Sequence, residues 1–310
     1  MTMRITGMAS GLDIDSMISS LMKAERIPID KLLQKKQTLQ WKVDSYNTTN
    51  LKISALRESV SSARFASSWS KIDANGNSVR LSEDEIVAKV KDIVSKYNDT
   101  VSTLNTDITE TVNRGYSPLT SDEKSAMSET DVKNWETKAK AGLLHNDDIL
   151  KQTLSSMRSV ASTKVGGVSD ADYDTLSEIG ISTPKFLKGS ADNGKLVIDE
   201  TKLRSAIREN PDAVIQTFTN QSSTSGEKGI FQRIYEYADN AVLNISRKVN
   251  GGYKTAESIT QQMTKLDKKV EDMNEKLNKK EDRYYAMFAN MEKALQNGNA
   301  QMSWLAAQFG

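Results

Sequence analysis

The sequence predicts a mostly α-helical protein: long coiled-coil-like N- and C-terminal helices that form a leg, and a helical central domain with a small β element. Apolar residues recur at steps of four and three over the last part of the 310-residue chain, and a second series at heptad spacing lies near its start. Between them, two Ser/Thr-x-x-Glu patterns precede shorter apolar series and predict separate helix starts.

The C-terminal series is the strongest pattern in the sequence. From residue 259 to residue 309, every position at these steps is apolar or aromatic except Glu281 and Gly298, and most intervening side chains are charged or amides. This is the a/d seam of a coiled coil on one long helix. Ser258 and Gln261 have capping-box spacing and predict its start. An apolar seam of this length needs a partner, because it would otherwise contact water.

The N-terminal region predicts two helices. Asp13 is a suitable N-cap for a helix that begins at Ile14. Pro28 is expected to interrupt this helix and to begin a second one that reaches about Phe65. The second helix carries heptad-spaced apolar residues, with Asn50 as a polar position that can set the register, and it is the simplest partner for the C-terminal seam. The predicted leg coiled-coil and oligomer interface comprises Leu39, Val43, Tyr46, Ile53, Val270, Met273, Leu277, Tyr284 and Phe288.

The middle of the chain predicts shorter helices and two strands. Residues 66–81 are rich in turn-forming side chains and are expected to form a connector. Segments 178–183 and 195–199 have the composition of short strands, with a turn between them. Helices are expected from Ser82 to about Val112, from Thr120 to near Gly142, from Asn146 or Asp147 to about Val165, and from Asp199, Asn210-Pro211 and Ile230 onward.

The composition argues against most catalytic chemistry. The 42 basic and 41 acidic residues nearly balance, which does not indicate a nucleic-acid partner. The chain has no cysteine and one histidine, so thiolate catalysis, zinc–sulfur sites and serine–histidine relays are not expected. His145 beside two aspartates is interpreted as part of a helix-start loop. No apolar run is long enough to span a membrane, and residues 1–11 lack the apolar core of a secretory signal.

One segment has part of a calcium-loop pattern. Asp73, Asn75 and Asn77 have the opening spacing, but Ser78 replaces the glycine and Asp84 the glutamate that the loop requires. A polar turn is the preferred interpretation. The sequence therefore predicts a protein that is not an enzyme and uses no cofactor and no metal.

Several sequence blocks carry a specific combined pattern. The first is ITGMASGLDIDSMI at residues 5–18, followed by LMKAE and Pro28. Further blocks are Tyr97-Asn98, RGYSPLT at 114–120, WETKAKAGLL at 135–144, 176–181, GKLVID at 194–199, YYAMF at 284–288 and QMSWL at 301–305. Together these blocks cover most of the chain, and they resemble the flagellar filament cap family, the flagellar hook-associated protein 2 family.

The resemblance implies a cap subunit. Family members are exported by the flagellar export apparatus without a cleaved signal, with an export chaperone. They form a ring of about five copies at the extracellular tip of the filament, beyond the hook–filament junction proteins. There they promote flagellin polymerisation and prevent flagellin loss, and they support motility. The resemblance implies no nucleic-acid partner and no membrane insertion. Their terminal helices insert between flagellins, so the expected filament-tip contacts are Ile14, Met17, Ile18, Leu21, Leu295, Met302, Leu305 and Phe309.

The chain departs from the family in one respect. Members usually carry a large β-rich head after the first long helix, where this chain has only residues 66–81. Either it is a short member or the head has been removed. Ring formation is therefore expected to depend on the helices, and cell adhesion, which the head could serve in the family, is left in doubt. The expected domains are flexible-ended terminal helices (1–38 and 275–310), a central domain (39–65 and 82–274) and the connector. A cytoplasmic coiled-coil scaffold or a secretion-system tip protein is the alternative.

Overall fold

The computed structural model describes residues 11–185, 187, 190–252 and 257–309, and these are mostly helical, as predicted. The first six residues of the resemblance block at 5–18, residues 5–10, therefore lie outside the described residues. The helices are α1 (Ile14–Ala63), α2 (Glu83–Thr109), α3 (Ser121–Ser125), α4 (Glu129–Lys140), α5 (Asp148–Val160), α6 (Glu200–Glu209), α7 (Pro211–Thr219), α8 (Ile230–Asn250) and α9 (Ile259–Phe309). The strands are β1 (Ser70–Ile72), β2 (Ser78–Arg80), β3 (Ile181–Ser182) and β4 (Val197–Ile198).

The chain divides into two compact units. The terminal unit comprises residues 1–39, 117–132 and 261–310, and the central unit comprises residues 40–116 and 133–260. The predicted division placed residues 117–132 and 261–274 in the central domain, whereas the structure places them in the terminal unit. The two long helices α1 and α9 each contribute residues to both units.

The predicted break at Pro28 is wrong, because α1 continues through it. Proline removes one N–H donor and leaves the carbonyl four residues earlier without its helical partner. That carbonyl belongs to Ala24. Both Ala24 and Pro28 lie on the exposed side of α1, where a water molecule can donate a hydrogen bond to this carbonyl in place of the missing N–H. The next residue, Ile29, is only 1% exposed, so the opposite side of α1 is packed at this point.

Helix starts follow the side-chain caps that the sequence contains. Ser82 and Glu85 form a complete capping box, as do Thr120 and Glu123. Asp147, Asp199 and Asn210 cap the helices that follow them. The single helix predicted from Thr120 to Gly142 is instead two helices. Its second part begins anew because the Ser128 hydroxyl accepts a hydrogen bond from the Asp131 N–H at 3.2 Å.

Residues 66–81, predicted as a connector, form a short 3₁₀ turn and the antiparallel hairpin β1–β2, in which Lys71 pairs with Val79. The hairpin turn is polar: Asp73 Oδ1 accepts hydrogen bonds from the N–H groups of Asn75 (2.9 Å) and Asn77 (2.8 Å). β3 and β4 form a second antiparallel pair, with Ile181 opposite Ile198.

The core of the central unit lies where α5 packs on α2 and α8, and where α7 packs on α6 and α8. Next to it, Phe218 and Phe231 stack on each other with centroids 4.6 Å apart, and the Trp69 ring packs against both, at 5.6 Å from Phe218 and 6.0 Å from Phe231. The Trp69 indole N–H donates to the Ala63 carbonyl at 2.8 Å. This cluster fastens the hairpin segment to α7, α8 and the end of α1.

The Tyr97-Asn98 pair attaches other segments to α2. The Tyr97 hydroxyl donates to the Met157 carbonyl at 2.9 Å. The Asn98 amide makes two bonds to the backbone of Leu196, donating to its carbonyl at 2.8 Å and accepting from its N–H at 2.7 Å. The segment that leads into β4 is therefore held on α2 by hydrogen bonds from the Asn98 side chain and not by pairing with a strand.

Gly180 is expected to tolerate no side chain. Its φ of +86° suits glycine, and an added Cβ would lie 2.8 Å from Leu203 N and 2.9 Å from Asp199 O. Gly180→Ala should therefore lower the free energy of unfolding of the central unit by about 2–3 kcal/mol. Urea unfolding followed by circular dichroism measures this. Gly76→Ala is the matched control, because Gly76 has a similar φ of +84° and open space around it, and should cost about 1 kcal/mol or less. Equal losses in the two variants would contradict the steric argument.

Candidate protein–protein interface

In the terminal unit the start of α1 and the body of α9 pair antiparallel. The Tyr285 hydroxyl donates to Asp15 at 3.1 Å, the Tyr284 hydroxyl donates to Glu25 at 3.1 Å, and Lys36 forms an ion pair with Asp267. Residue numbers rise along α1 as they fall along α9, which fixes the direction of the pairing. Both long terminal helices thus find their partner within one chain.

The apolar contact of this pair is small and lies near the start of α1. Ile14 and Ile18 are each 1% exposed and pack with Phe288, which is 6% exposed. Met22, Tyr284 and Tyr285 pack around them. In this single chain α9 covers the side chains of Ile14 and Ile18, and their predicted contact with the filament tip stays a prediction. Residues 14–25 are helical, with Ile14 and Ile18 as their buried contacts, and the expected flexibility of the chain ends stays a prediction.

The predicted interface residues fall into two groups. Val270, Met273, Leu277 and Tyr284 are half-buried on α9, and Leu39 is half-buried on α1; all five belong to the terminal unit. Val43, Tyr46 and Ile53 belong to the central unit, with Val43 half-buried and the other two fully buried.

The expected pairing of Tyr46 and Ile53 with the C-terminal seam is wrong. The Tyr46 hydroxyl donates to Asp147 at 2.5 Å, and beside Ile53 the Thr100 hydroxyl donates to the Lys52 carbonyl at 3.2 Å. These side chains are part of the central core and have no free surface for a second subunit. Asn50 also lies here, and its buried Oδ1 accepts no hydrogen bond from the residues that the structure describes.

Glu25 is the electrostatic centre of the α1–α9 pair. The Lys280 ammonium donates to one carboxylate oxygen of Glu25 and the Tyr284 hydroxyl to the other. Both hydrogen bonds lower the pKa of Glu25 below its ordinary value of 4.5, and the bond from Lys280 has the larger effect.

The pairing of α1 with α9 should weaken in acid. The folded-state pKa of Glu25 is lowered, so the ionised carboxylate stabilises the α1–α9 pair. This stabilisation is fully present above pH 4.5 and is lost as the pH falls through the lowered pKa. Amide hydrogen exchange of residues 14–25, measured from pH 7 to pH 3, should show protection falling at the acid end. Glu25→Gln should remove most of that pH dependence, and an unchanged profile in this variant would contradict the assignment.

The end of α9 has no cover from the described residues. Every residue from 293 to 309 is exposed, and residues 294–309 include no charged side chain. We call residues 294–309 the α9 tail. At about 100° per residue its apolar side chains fall in one narrow sector that continues the face of Phe288, whereas Trp304 lies on the opposite side. The exposed fractions are 41% for Leu295, 71% for Met302, 60% for Trp304, 44% for Leu305 and 86% for Phe309.

The α1–α9 pair has two lateral sides. Met17 and Leu21 are exposed at 41% and 39% and lie on one side of α1. On the other side a half-open groove of about 530 Å³ runs between α1 and α9. Its floor includes Ile18, Met22, Leu277 and Tyr285, and its rims carry Asp15, Lys23, Arg26, Asp30, Asp122 and Glu281.

The segment at residues 118–122 contributes to this groove. Pro118 is buried, and its carbonyl accepts a hydrogen bond from the Gln34 side chain at 2.8 Å. Thr120, Ser121 and Asp122 then line the groove. Sequence reasoning missed this segment because its capping box predicted a helix start but carried no information about where that helix docks.

Other kinds of site find no support in the part of the chain that the structure describes. There, no three His, Cys, Asp or Glu side chains come together in a way that could hold a metal ion. His145, predicted to lie in a helix-start loop, contacts the amide of Asn146 at 2.8 Å just before α5. Within the same described ranges, none of the helices combines the length and apolarity that crossing a bilayer requires.

Comparison with known families decides the assignment. A family model described as the flagellar hook-associated protein 2 C-terminus matches residues 70–300, and one described as its N-terminus matches residues 10–93. The chain belongs to the flagellar hook-associated protein 2 family. The resemblance identified from sequence blocks is thereby confirmed.

Two similar proteins carry the name flagellar hook-associated protein 2. The protein from Halalkalibacterium halodurans is 29% identical over 226 residues, which cover 66% of this chain and 42% of that protein. The protein from Thermotoga maritima is 27% identical over 234 residues, which cover 74% of this chain and 34% of that protein. The chain thus matches less than half the length of either relative.

Proposed function

We propose that this chain is a subunit of the flagellar filament cap, which oligomerises at the distal tip, promotes flagellin polymerisation and prevents flagellin loss. Membership of the flagellar hook-associated protein 2 family, through both its N- and C-terminal models, supports this proposal most directly. The proposal includes export by the flagellar apparatus, assisted by a chaperone, to the extracellular tip beyond the hook–filament junction proteins.

The exposed part of the terminal unit suits this role. A cap subunit must hold neighbouring subunits at the filament end through a surface that is not already occupied. The α9 tail and the side of α1 with Met17 and Leu21 are apolar, exposed and helical, which is typical of helix-in-groove association. We assign contacts with flagellin and with further cap subunits to this surface, with Leu295, Met302, Leu305 and Phe309 on the tail.

Self-association supplies the second part of the proposal. The usual β-rich head is replaced by the short β1–β2 hairpin, so contacts between copies are assigned to the helical units. A closed ring of about five copies requires a head-to-tail contact between two different surfaces of the subunit. The terminal unit offers two such surfaces, the tail and the groove.

The test follows the labelled protein on filaments. Lys71→Cys places a single reactive thiol on the exposed hairpin of a cysteine-free chain, and a fluorophore there reports position. The proposal expects label at one end of each filament, with the filament sides as internal control. In cells that lack their own cap protein, expression of the chain should reduce flagellin in the medium. Label along the sides, or undiminished flagellin loss, would contradict the proposal.

A further inference from the structure

We propose that the groove of the terminal unit binds the α9 tail of a second copy of this chain. The inference rests on the proposed cap function only for its setting, in which subunits meet at a filament end. It identifies which neighbour the apolar face of the tail meets. The groove and the tail are separate surfaces of one subunit, and each is open in the described structure.

The tail of the same copy cannot fill its own groove. Residues 274–285 of α9 form one wall of the groove, and α9 continues from them as one helix to Phe309. The tail therefore leaves the groove wall along the helix axis and does not turn back. An occupant of this kind has to come from another copy.

The α1 wall of the groove matches the tail in length. It extends from Asp15 to Asp30, which at the helical rise is about 23 Å, whereas the α9 wall, from Asn274 to Tyr285, is about 17 Å long. The tail, residues 294–309, is also about 23 Å long. Thr120, Ser121 and Asp122 add a third lining segment that comes from outside the two long helices.

They also match in chemistry. Met22, Leu277 and Tyr285 are half-buried and line the groove, so they offer partly open apolar surface that suits the narrow apolar face of the tail. The rims carry both signs of charge, with Lys23 and Arg26 near carboxylates, so a strongly charged helix of either sign would meet like charges there. The tail has no charged side chain and brings no charge that needs a partner. Trp304, on the opposite side of the tail, is left for other neighbours such as flagellin.

A tail-in-groove contact joins two different patches, so every copy can both give a tail and receive one. Such contacts generate a ring if the rotation between copies closes, and an open chain if it does not. The contact between groove and α9 tail is therefore a heterologous link of the kind that the proposed ring requires, and it involves no head domain.

Substitution in the tail gives the first test. Leu305→Glu should weaken self-association at least about tenfold, because the groove would have to bury an unpaired carboxylate. Ala307→Glu adds the same charge on the opposite side of the tail and should leave association within about twofold of the original chain. Sedimentation over a concentration series measures both. Equal effects of the two substitutions would overturn the assignment.

Cross-linking gives the second test, which does not depend on the strength of association. Cysteines are introduced singly at Ser19 or Asn278 in the groove, and at Ala294 or Ala306 beside the apolar face of the tail, in copies with tags of different size. A short bismaleimide should join groove to tail between copies, in solution and on filament ends, whereas Lys71→Cys should give no product with the tail. Tail-to-tail products in place of groove-to-tail products would overturn the inference. Tail-to-flagellin products alone would also overturn it, while still supporting the proposed cap function.

Discussion

Phe288→Ala is expected to lower the free energy that holds the start of α1 on α9 by about 3 kcal/mol, with loss of most of the protection of residues 14–25. Phe288 is 6% exposed and forms one small cluster with Ile14 and Ile18. Truncation to alanine leaves a cavity that two helices cannot readily close. The loss would separate α1 from the helix that carries the tail, and the proposed filament capping should fail with it.

Amide hydrogen exchange of residues 14–25 measures this loss directly. Met287→Ala is the matched control, because Met287 is the neighbour of Phe288 on the same helix but 55% exposed, and its truncation should leave the protection of residues 14–25 nearly unchanged. Normal protection in Phe288→Ala would show that polar contacts such as Glu25 with Lys280 hold the pair by themselves.

Trp69→Ala should destabilise the central unit by about 3–5 kcal/mol. The substitution removes a side chain that is 1% exposed and stacks on Phe218 and Phe231, and it leaves the Ala63 carbonyl without the indole donor. Urea unfolding followed by far-UV circular dichroism should show a lower midpoint. Trp304→Ala is the control for the same residue type, because Trp304 is 60% exposed, and should change the midpoint little.

Local signals in the sequence predicted local structure well. The starts of α2, α5, α6 and α7 are set by a side chain that caps the first turn, and such a cap needs only residues within three positions of itself. The blocks that carry the family resemblance could also be identified from the sequence. One of them, Tyr97-Asn98, donates hydrogen bonds to the backbone carbonyls of Met157 and Leu196, which are distant in the sequence.

The choice of partner for each apolar face could not be predicted in the same way. The heptad spacing of Tyr46 and Ile53 differs from the period of an ordinary helix by only about 20° per heptad, so a short series fits a coiled coil and a globular core equally well. The structure places both residues in the central core. The groove was also beyond prediction, because part of its lining comes from residues 120–122, far from α1 and α9 in the sequence.

The absence of charge from the α9 tail has a consequence for the medium in which it acts. Dissolved ions screen pairs such as Lys36 with Asp267 and Glu25 with Lys280, which are partly exposed, so rising ionic strength should loosen the contact of α1 with α9. The tail has no charge to screen, and burial of its apolar face is strengthened rather than weakened by many salts. Contacts made by the tail should therefore persist between dilute and saline water, where contacts built on ion pairs would not.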